Sequence, residues 1–252
     1  MIHPPRWVRR APGLREPLRR FMKRHAPKGP VTLTVEGLTF RLAPRDNKVD
    51  FDIWYKRRLE EGEERAFLAA HLGAGDLFVD IGANIGLYPL ALLQAVPGLA
   101  AVTFEPLDRL RERQVENLAA NGLAERVEVR AEAIGPAGTA TLYESMNAGR
   151  SSLVAFEGAG ARRTVTTLPL IDALAGRVPA GLKIDVEGYE AEALMPYFDA
   201  APEALWPRVL VIETLHRAVW GRDCLQELLQ RGYEMQGATE ENALLARKPS
   251  SR

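Results

Sequence analysis

The stretch VDIGANIGLYPL, residues 79–90, gives the strongest indication of the fold of this protein. An apolar strand runs into a turn that contains Gly82 and Gly86, and an apolar helix follows directly. Gly82 allows the chain to turn sharply and Gly86 allows the backbone to approach a ligand closely, because glycine has no side chain. In open α/β sheets, ligands bind in the crevice at the carboxyl ends of the strands, beside the unpaired N–H groups of a helix start. The stretch therefore predicts a ligand site.

Two acidic residues indicate the kind of ligand. The spacing GANIG departs from the G-x-G-x-x-G fingerprint of dinucleotide-binding proteins. Asp80 directly precedes the turn, where its carboxylate would repel a pyrophosphate and attract an ammonium group. Glu105 ends the next strand, nineteen residues after Gly86, where it can accept hydrogen bonds from both hydroxyls of a ribose. A nucleoside with a cationic amino-acid tail fits these acids better than NAD does, which disfavours a Rossmann dehydrogenase.

From Leu77 onward, short strands alternate with amphipathic helices. This alternation is typical of parallel βαβ units. We predict the strands of the main sheet over residues 77–81, 100–104, 126–131, 181–186 and 208–213, with an insert of two strands near residues 139–144 and 163–167. The predicted fold class is α/β, with a doubly wound, mostly parallel, Rossmann-like sheet.

The residues before this alternation form a different region, and we place the domain boundary between residues 72 and 73. A β-hairpin is predicted over residues 31–42, with Gly37 supplying the positive φ of its tight turn. Residues 50–72 are predicted to be helical. The region serves as an N-terminal appendage to a catalytic domain over residues 73–252.

Residues 1–30 are strongly basic. They hold nine Lys or Arg and one acid, a net charge of +8, although the whole chain is neutral. Leu14, Leu18, Phe21 and Met22 recur at helical spacing among these cations, which predicts a short basic amphipathic helix. It could dock weakly on an anionic surface, pack on the acidic remainder of the chain, or be a solvated arm. The sequence leaves these three alternatives open.

Composition restricts the class of protein. The apolar share of 46% is enough for a globular core. The longest apolar run is about half the length of a membrane span, and no apolar run follows the N-terminal charges, so we expect neither a span nor a signal peptide. Cys224 is the single cysteine. An internal disulfide is thereby excluded, and we expect a reducing, cytoplasmic compartment.

A second motif, KIDVEGYE over residues 183–190, follows the strand that is fourth in the main sheet. It places three carboxylates, those of Asp185, Glu187 and Glu190, beside the predicted crevice. Each could act on a ligand, pair with Lys183, or cap the following helix. We interpret Glu190 as a residue on the face of that helix.

With these motifs the sequence resembles the FkbM-type methyltransferases. The resemblance rests on segments that occur in the family's order and spacing: VDIGANIG, FEP, ENLAANG, SSL, VTTL, KIDVEGYE and VIE, between residues 77 and 213. It implies a class I methyltransferase fold and S-adenosylmethionine as cofactor. One departure is visible, because Pro169 follows VTTL where the family has an aspartate, and Asp172 comes later. The geometry of the helix that starts there is therefore uncertain from the sequence.

The resemblance also implies site residues. Asp80, Gly82, Asn84 and Gly86 would line the methionine end, Glu105 would hold the ribose, and Asp185 would face the methyl group. Our candidate cofactor residues are therefore Asp80, Gly82, Asn84, Gly86, Glu105, Asp185 and Glu132, the last of which follows the third strand.

The candidate catalytic residues are Asp185 and His216. His216 follows the fifth strand at the same edge of the sheet, where it could take a proton from a substrate. The candidate substrate contacts are Ser151, Ser152, Glu187 and Glu213, with Arg150 in the same loop of the insert. Asp185, Glu213 and His216 have suitable ligand atoms for a divalent metal, but their spacing does not require one, so we expect no metal.

The function that we expect is O-methylation of a hydroxyl on a sugar, a glycan or a secondary metabolite, by analogy with the family. Two alternatives stay open, an N-methyltransferase and a non-catalytic protein that holds a nucleoside. The expected partners are a small-molecule or glycan acceptor and no nucleic acid. The sequence does not decide the oligomeric state, and a homo-oligomer remains open.

Overall fold

The computed structural model describes residues 15–145 and 151–247. Leu14 and Arg150 lie outside these residues. The described chain forms two compact units, which divide between Glu60 and Glu61.

The first unit contains a helix, a hairpin and a second helix. Its elements are α1 (Arg15–Arg24), β1 (Val31–Val35), β2 (Leu38–Leu42) and α2 (Lys48–Lys56). The predicted hairpin is confirmed, and both turn residues have positive φ, 51° at Glu36 and 82° at Gly37. This is the conformation of a two-residue hairpin turn whose twist matches its strands.

The amphipathic helix α1 packs on α2. Arg19 makes a 3.2 Å ion pair with Asp52 and lies over the ring of Phe51. Met22 of the predicted apolar stripe is 6% exposed, whereas Phe21 is 56% exposed. The stripe is therefore divided between the interior of this unit and its surface.

The predicted helical region over residues 50–72 consists of two helices. The first is α2, and the second, α3 (Gly62–His71), belongs to the second unit. Arg57 and Glu61 both have positive φ, 54° and 56°, which stops the helical path between them. The predicted boundary at residues 72 and 73 would instead place α3 with the appendage.

The second unit holds the alternating strands and helices. After α3 its elements are β3 (Leu77–Ile81), α4 (Leu87–Ala95), β4 (Ala100–Phe104), α5 (Asp108–Ala120), β5 (Val127–Arg130), β6 (Ala133–Ile134), β7 (Gly138–Ser145), β8 (Ser151–Ser152), β9 (Ala159–Leu168), α6 (Leu170–Leu174), β10 (Gly181–Ile184), α7 (Glu190–Ala200), β11 (Val209–Glu213), α8 (Cys224–Gln230), β12 (Tyr233–Ala238) and β13 (Asn242–Arg247). The helix α6 begins directly after Pro169, so the departure from the family pattern still allows a helix there.

In the described part of the chain, the large sheet has seven strands in the order β12-β13-β11-β10-β3-β4-β5. It is mixed, because β13 runs antiparallel to both of its neighbours while the other neighbouring pairs are parallel. The reversed strand lies near one edge, so the carboxyl ends of β3, β4, β10 and β11 meet at the same edge of the sheet.

Both faces of this sheet are covered. On β3, Val79 and Ile81 face one core cluster, with Leu194 of α7, and Phe78 faces the other, with Leu92 of α4. Successive side chains of a strand point to opposite faces, and here both sets are buried. The doubly wound α/β architecture is therefore present. Among the described residues, no helix has the length and apolar character of a membrane span.

The insert forms its own small sheet. Within residues 15–145 and 151–247 its strand order is β6-β9-β7-β8, and β7 and β9 form a long antiparallel pair. Glu144 of β7 accepts from Arg163 of β9 and from Arg109 of α5. The second of these ion pairs connects the insert to the helix that follows β4.

Candidate active site

The turn after β3 is closed by glycine. Gly82 has a φ of +82°, and a Cβ placed there would lie 1.9 Å from the carbonyl oxygen of Asp185. The Gly82 N–H donates to the Phe104 carbonyl at 3.0 Å, and the Asp185 N–H donates to the Ile81 carbonyl at 3.0 Å. The predicted role of Gly82 in the turn is thus explained by the close approach of the loop after β10.

The second glycine of the turn lies against α5. Gly86 has a φ of +85°, and a Cβ there would lie 2.8 Å from Cγ of Gln114. The buried Gln114 donates to Thr103 at 2.8 Å, and the buried Asn117 donates to the Ile85 carbonyl at 3.1 Å. Asn117 thus holds the turn by a hydrogen bond, and Gln114 packs against Gly86. Neither role was predicted from the sequence, although Asn117 lies in the family segment ENLAANG.

Asp80, which we predict to lie at the methionine end of the cofactor site, is a buried residue of β3. Its side chain is 1% exposed, and neither carboxylate oxygen has a hydrogen-bond partner among the described residues. Burial raises the pKa of Asp80 to about 6, against the opposing effect of the Lys183 ammonium. Lys183 lies 3.7 Å away, but a buried carboxylate without hydrogen-bond donors is still costly. This position therefore fits a ligand whose ammonium group brings N–H donors.

Glu105 is preorganised at the end of β4. Its two oxygens accept from the N–H groups of Asn84 and Leu107, both at 2.9 Å. Burial raises the pKa of Glu105 to about 7, although these two N–H groups favour the ionised form. Each carboxylate oxygen can accept more than one hydrogen bond, which fits the assignment to the ribose hydroxyls.

Glu132 lies beyond β5 and is paired. Arg130 donates to its two oxygens at 2.7 and 3.1 Å, and this hydrogen bonding lowers the pKa of Glu132. The cofactor role of Glu132 stays a prediction. Any ligand contact to its carboxylate would share it with the guanidinium.

The loop after β10 is held by hydrogen bonds to the carboxylate of Glu190. This side chain is fully buried rather than on the helix face, which corrects our interpretation of the motif. Its carboxylate accepts from the N–H groups of Val186 and Gly188 and, at 2.6 Å, from the indole of Trp220. The buried carboxylate of Glu190 therefore accepts hydrogen bonds both from the loop after β10 and from Trp220, which is distant in the sequence.

His216 and Glu213 lie together at the end of β11. Nδ1 of His216 is 3.2 Å from a carboxylate oxygen of Glu213 and 3.7 Å from one of Glu187. Glu187 is held in the left-handed region with a φ of 57°. Burial, followed by the charges of Asp185, Glu190 and Glu187, raises the pKa of Glu213 strongly. A protonated carboxyl or a shared proton therefore lies next to the imidazole.

The two candidate serines of the insert have different environments. Ser152 is buried, and its hydroxyl donates to the Glu187 carbonyl at 2.8 Å. This contact fixes the loop after β10, and the substrate contact of Ser152 stays a prediction. Ser151 pairs with Glu144 in the small sheet and is partly exposed.

The acidic groups at this edge also have suitable atoms for a metal. Ligand atoms of Glu187, Glu213 and His216 lie within 4.8 Å of one another, and so do those of Asp185, Glu190 and Glu213. Glu190 already accepts three hydrogen bonds from the protein. The expectation that no metal binds stays a prediction.

A glycine turn on a doubly wound sheet, with acids at the ends of β3, β4 and β10, defines a nucleoside-binding α/β protein of the class I methyltransferase type. The family model of the methyltransferase FkbM domain matches residues 80–235, which are 156 of the 252 residues. The chain belongs to the FkbM methyltransferase family. Its cofactor is S-adenosylmethionine, as the resemblance implied.

Solved structures of methyltransferases are similar at the level of the fold. One is a methyltransferase from Geobacter sulfurreducens, at 16% identity and a TM-score of 0.46, which covers 73% of this chain and 76% of that chain. Another is an S-adenosylmethionine-dependent O-methyltransferase from Thermotoga maritima, at 15% identity and a TM-score of 0.48, which covers 88% and 78%. A third is an rRNA methylase from Streptococcus thermophilus, at 12% identity and a TM-score of 0.47, which covers 74% and 95%. A search of curated protein sequences found no significant match.

Proposed function

We propose that this methyltransferase transfers the methyl group to a hydroxyl on a sugar, a glycan or a secondary metabolite. The observation that carries the proposal is the pairing of His216 with Glu213 beside Asp185, at the edge of the sheet where the glycine turn lies. An imidazole oriented by a carboxyl group is the arrangement expected of a general base. In this proposal the His216–Glu213 pair and Asp185 bind the acceptor hydroxyl.

In the proposed reaction the acceptor oxygen bonds to the methyl carbon while the bond from that carbon to the sulfonium sulfur breaks. The products are a methyl ether and S-adenosylhomocysteine. The cofactor supplies an activated methyl group, and the protein aligns the two reactants. The hydroxyl proton passes to Asp185 or to the His216–Glu213 pair, which makes a weak nucleophile competent.

N-methylation is the second candidate, and the charge of the acceptor edge favours it. Glu187 and Glu213 lie beside the His216 imidazole, and Asp185 lies beside Glu213. An acceptor with an ammonium group would be attracted to these acids. The two candidates differ in the atom methylated. Methyl transfer from labelled cofactor into panels of hydroxylated sugars, glycans and metabolites, and into matched amines, decides between them.

The roles of the two candidate catalytic residues can be tested by substitution. Asp185→Asn and His216→Gln should preserve the fold and most of the cofactor affinity, while kcat falls about 10²- to 10⁴-fold, as expected for removal of a general base. The matched controls are Asp172→Asn on α6 and His71→Gln on α3, which should leave kcat unchanged.

Turnover within about twofold of wild type in both active-site variants would contradict the proposed base chemistry. In that case the pH dependence of kcat on the best acceptor should have the same shape in the variants and in wild type, because the two residues would only align the reactants. Transfer to amines without transfer to hydroxyls would replace the proposal with the second candidate.

A further inference from the structure

Lys183 is a buried cation at the centre of the site. It lies on β10 in register with Asp80 of β3, and it is 5% exposed. Its Nζ donates to the carbonyl of Gly82 at 3.2 Å, and it lies over the ring of Tyr88 at 5.2 Å. Three elements of the cofactor crevice therefore meet at this ammonium group.

The same ammonium group lies between two carboxylates with different assignments. Nζ is 3.7 Å from Asp80 and 3.5 Å from Asp185. Asp80 belongs to the methionine end of the cofactor site, and Asp185 to the acceptor edge. A buried charge is retained only when it is paired, so Lys183 neutralises one acid assigned to the cofactor and one assigned to the acceptor.

We propose that Lys183 is a positioning residue that keeps Asp80 ionised and thereby maintains the affinity for S-adenosylmethionine at neutral pH. The proposal rests on the assignment of Asp80 to the cofactor's ammonium group. It concerns binding, and it is independent of which acceptor is methylated.

The groups that face Asp80 explain why a cation is needed. Lys183 is opposed by Asp185 on the same strand end, by Glu61 before α3, and by burial, all of which favour the protonated carboxyl. The Tyr88 side chain of α4 is also buried beside them, and its phenol stays neutral because burial raises its pKa well above the ordinary value. Without the Lys183 charge, these opposing effects would raise the pKa of Asp80 further.

Lys183 itself stays charged. Burial would lower its pKa, but the carboxylates of Asp185, Asp80, Glu61 and Glu213 outweigh burial and raise it. The side chain is therefore a fixed counter-charge rather than a base, and it donates no proton during turnover. Its effect on the cofactor passes through Asp80.

The test compares cofactor affinity across pH in variants of Lys183. Lys183→Gln removes the charge and keeps an N–H donor for the Gly82 carbonyl, and Lys183→Arg keeps the charge. Isothermal titration of each folded protein with S-adenosylmethionine between pH 6 and 9 gives the ratio of the variant's dissociation constant to that of wild type. This ratio cancels the titration of the cofactor's own amine.

For Lys183→Gln we expect a ratio on the order of ten at pH 7 that falls towards one as the pH approaches 9, because one pH unit of lost ionisation corresponds to tenfold in affinity. Lys183→Arg should stay near one throughout. A ratio that is raised but independent of pH would mean that Lys183 acts through local structure, and a ratio near one at every pH would mean that it does not act on binding. Either result overturns the proposal.

Two further variants keep the test valid if Lys183→Gln does not fold. The double variant Asp80→Asn/Lys183→Met removes both charges of this pair. The ratio of its affinity for S-adenosylmethionine to that of Asp80→Asn should not depend on pH, because neither protein has the Asp80 carboxyl. A pH-dependent ratio in that background would overturn the proposal. Wild-type affinity in Asp80→Asn alone would instead remove the assignment of Asp80 while leaving the proposed O-methylation untouched.

Discussion

At the scale of single residues, two buried carboxylates differ in what surrounds them. Asp80 has no hydrogen-bond donor among the described residues, whereas Glu105 accepts from two N–H groups. Burial raises the pKa of both, to about 6 and about 7. Each carboxyl therefore retains a proton in the folded, ligand-free chain at a pH where the unfolded chain has lost it, so the stability that each contributes is lost as the pH rises through these values. Ligand hydroxyl or ammonium groups would stabilise the ionised forms.

Glu105→Ala should weaken binding of S-adenosylmethionine, because the ribose hydroxyls lose their acceptor at a cost of about 1–3 kcal/mol. At pH 8, above the pKa of Glu105, the affinity should fall about ten- to a hundredfold, and the loss should shrink at pH 6. Calorimetry measures both values. Glu125→Ala, an exposed glutamate before β5, is the control, and unchanged affinity in Glu105→Ala at pH 8 would refute the ribose assignment.

At the scale of elements, the turn between β3 and α4 depends on the loop after β10. Gly82→Ala would place a methyl group against the backbone of Asp185, whereas Gly75 has the same φ of +82° and a Cβ added there would meet no atom within 4 Å. Both alanines should incur the cost of a left-handed residue, about 1–2 kcal/mol. Gly82→Ala should cost more and abolish cofactor binding, and Gly75→Ala should retain it. Urea unfolding and calorimetry compare the two, and equal costs with retained binding would show that the turn is tolerant.

The sequence predicted the strands well because their signals are local. The predicted strands at residues 77–81 and 100–104 match β3 and β4, since apolar runs ended by glycine or proline identify strands. The break between α2 and α3 was missed because the residues that adopt positive φ there, Arg57 and Glu61, are not glycines, and Gly62 alone was not read as a break. Glu190 was misread for a related reason. Its partner Trp220 lies thirty residues away in the chain, and no local pattern reports such a contact.

At the level of the whole molecule, the basic charge is concentrated in residues 1–30. The structure shows a partner for some of these residues and exposure for others. Arg19 is paired with Asp52 and Met22 is buried, so deleting residues 1–29 would also disturb the first unit. Arg20, Lys23 and Arg24 are exposed on α1, beside the exposed Phe21. Point substitutions on this exposed face are therefore a cleaner test of surface docking than truncation.

We expect the protein to co-sediment weakly with vesicles that contain phosphatidylglycerol and not with purely zwitterionic vesicles. Each exposed cation near an anionic surface contributes about 1 kcal/mol, and the attraction is screened within about 8 Å at physiological ionic strength. Binding should weaken as salt rises and should be lost in Arg20→Glu/Phe21→Ser. Arg162→Glu, an exposed charge on β9, is the control. Absence of binding at low salt would leave α1 as a structural part of its own unit.

The two ends of the insert lie next to each other, which affects how this part of the chain can vary. Its first strand, β6, pairs in parallel with the end of its last long strand, β9, so the points at which the insert leaves and rejoins the main chain lie side by side. A segment with neighbouring ends can be exchanged by recombination without altering the spacing of β5 and β10 in the main sheet. Because the hydroxyl of Ser152 holds the loop that carries Glu187, a replacement segment that keeps this serine would preserve the loop. Segments of different length and sequence could therefore replace the insert while the strands and the glycine turn of the cofactor-binding half keep their geometry.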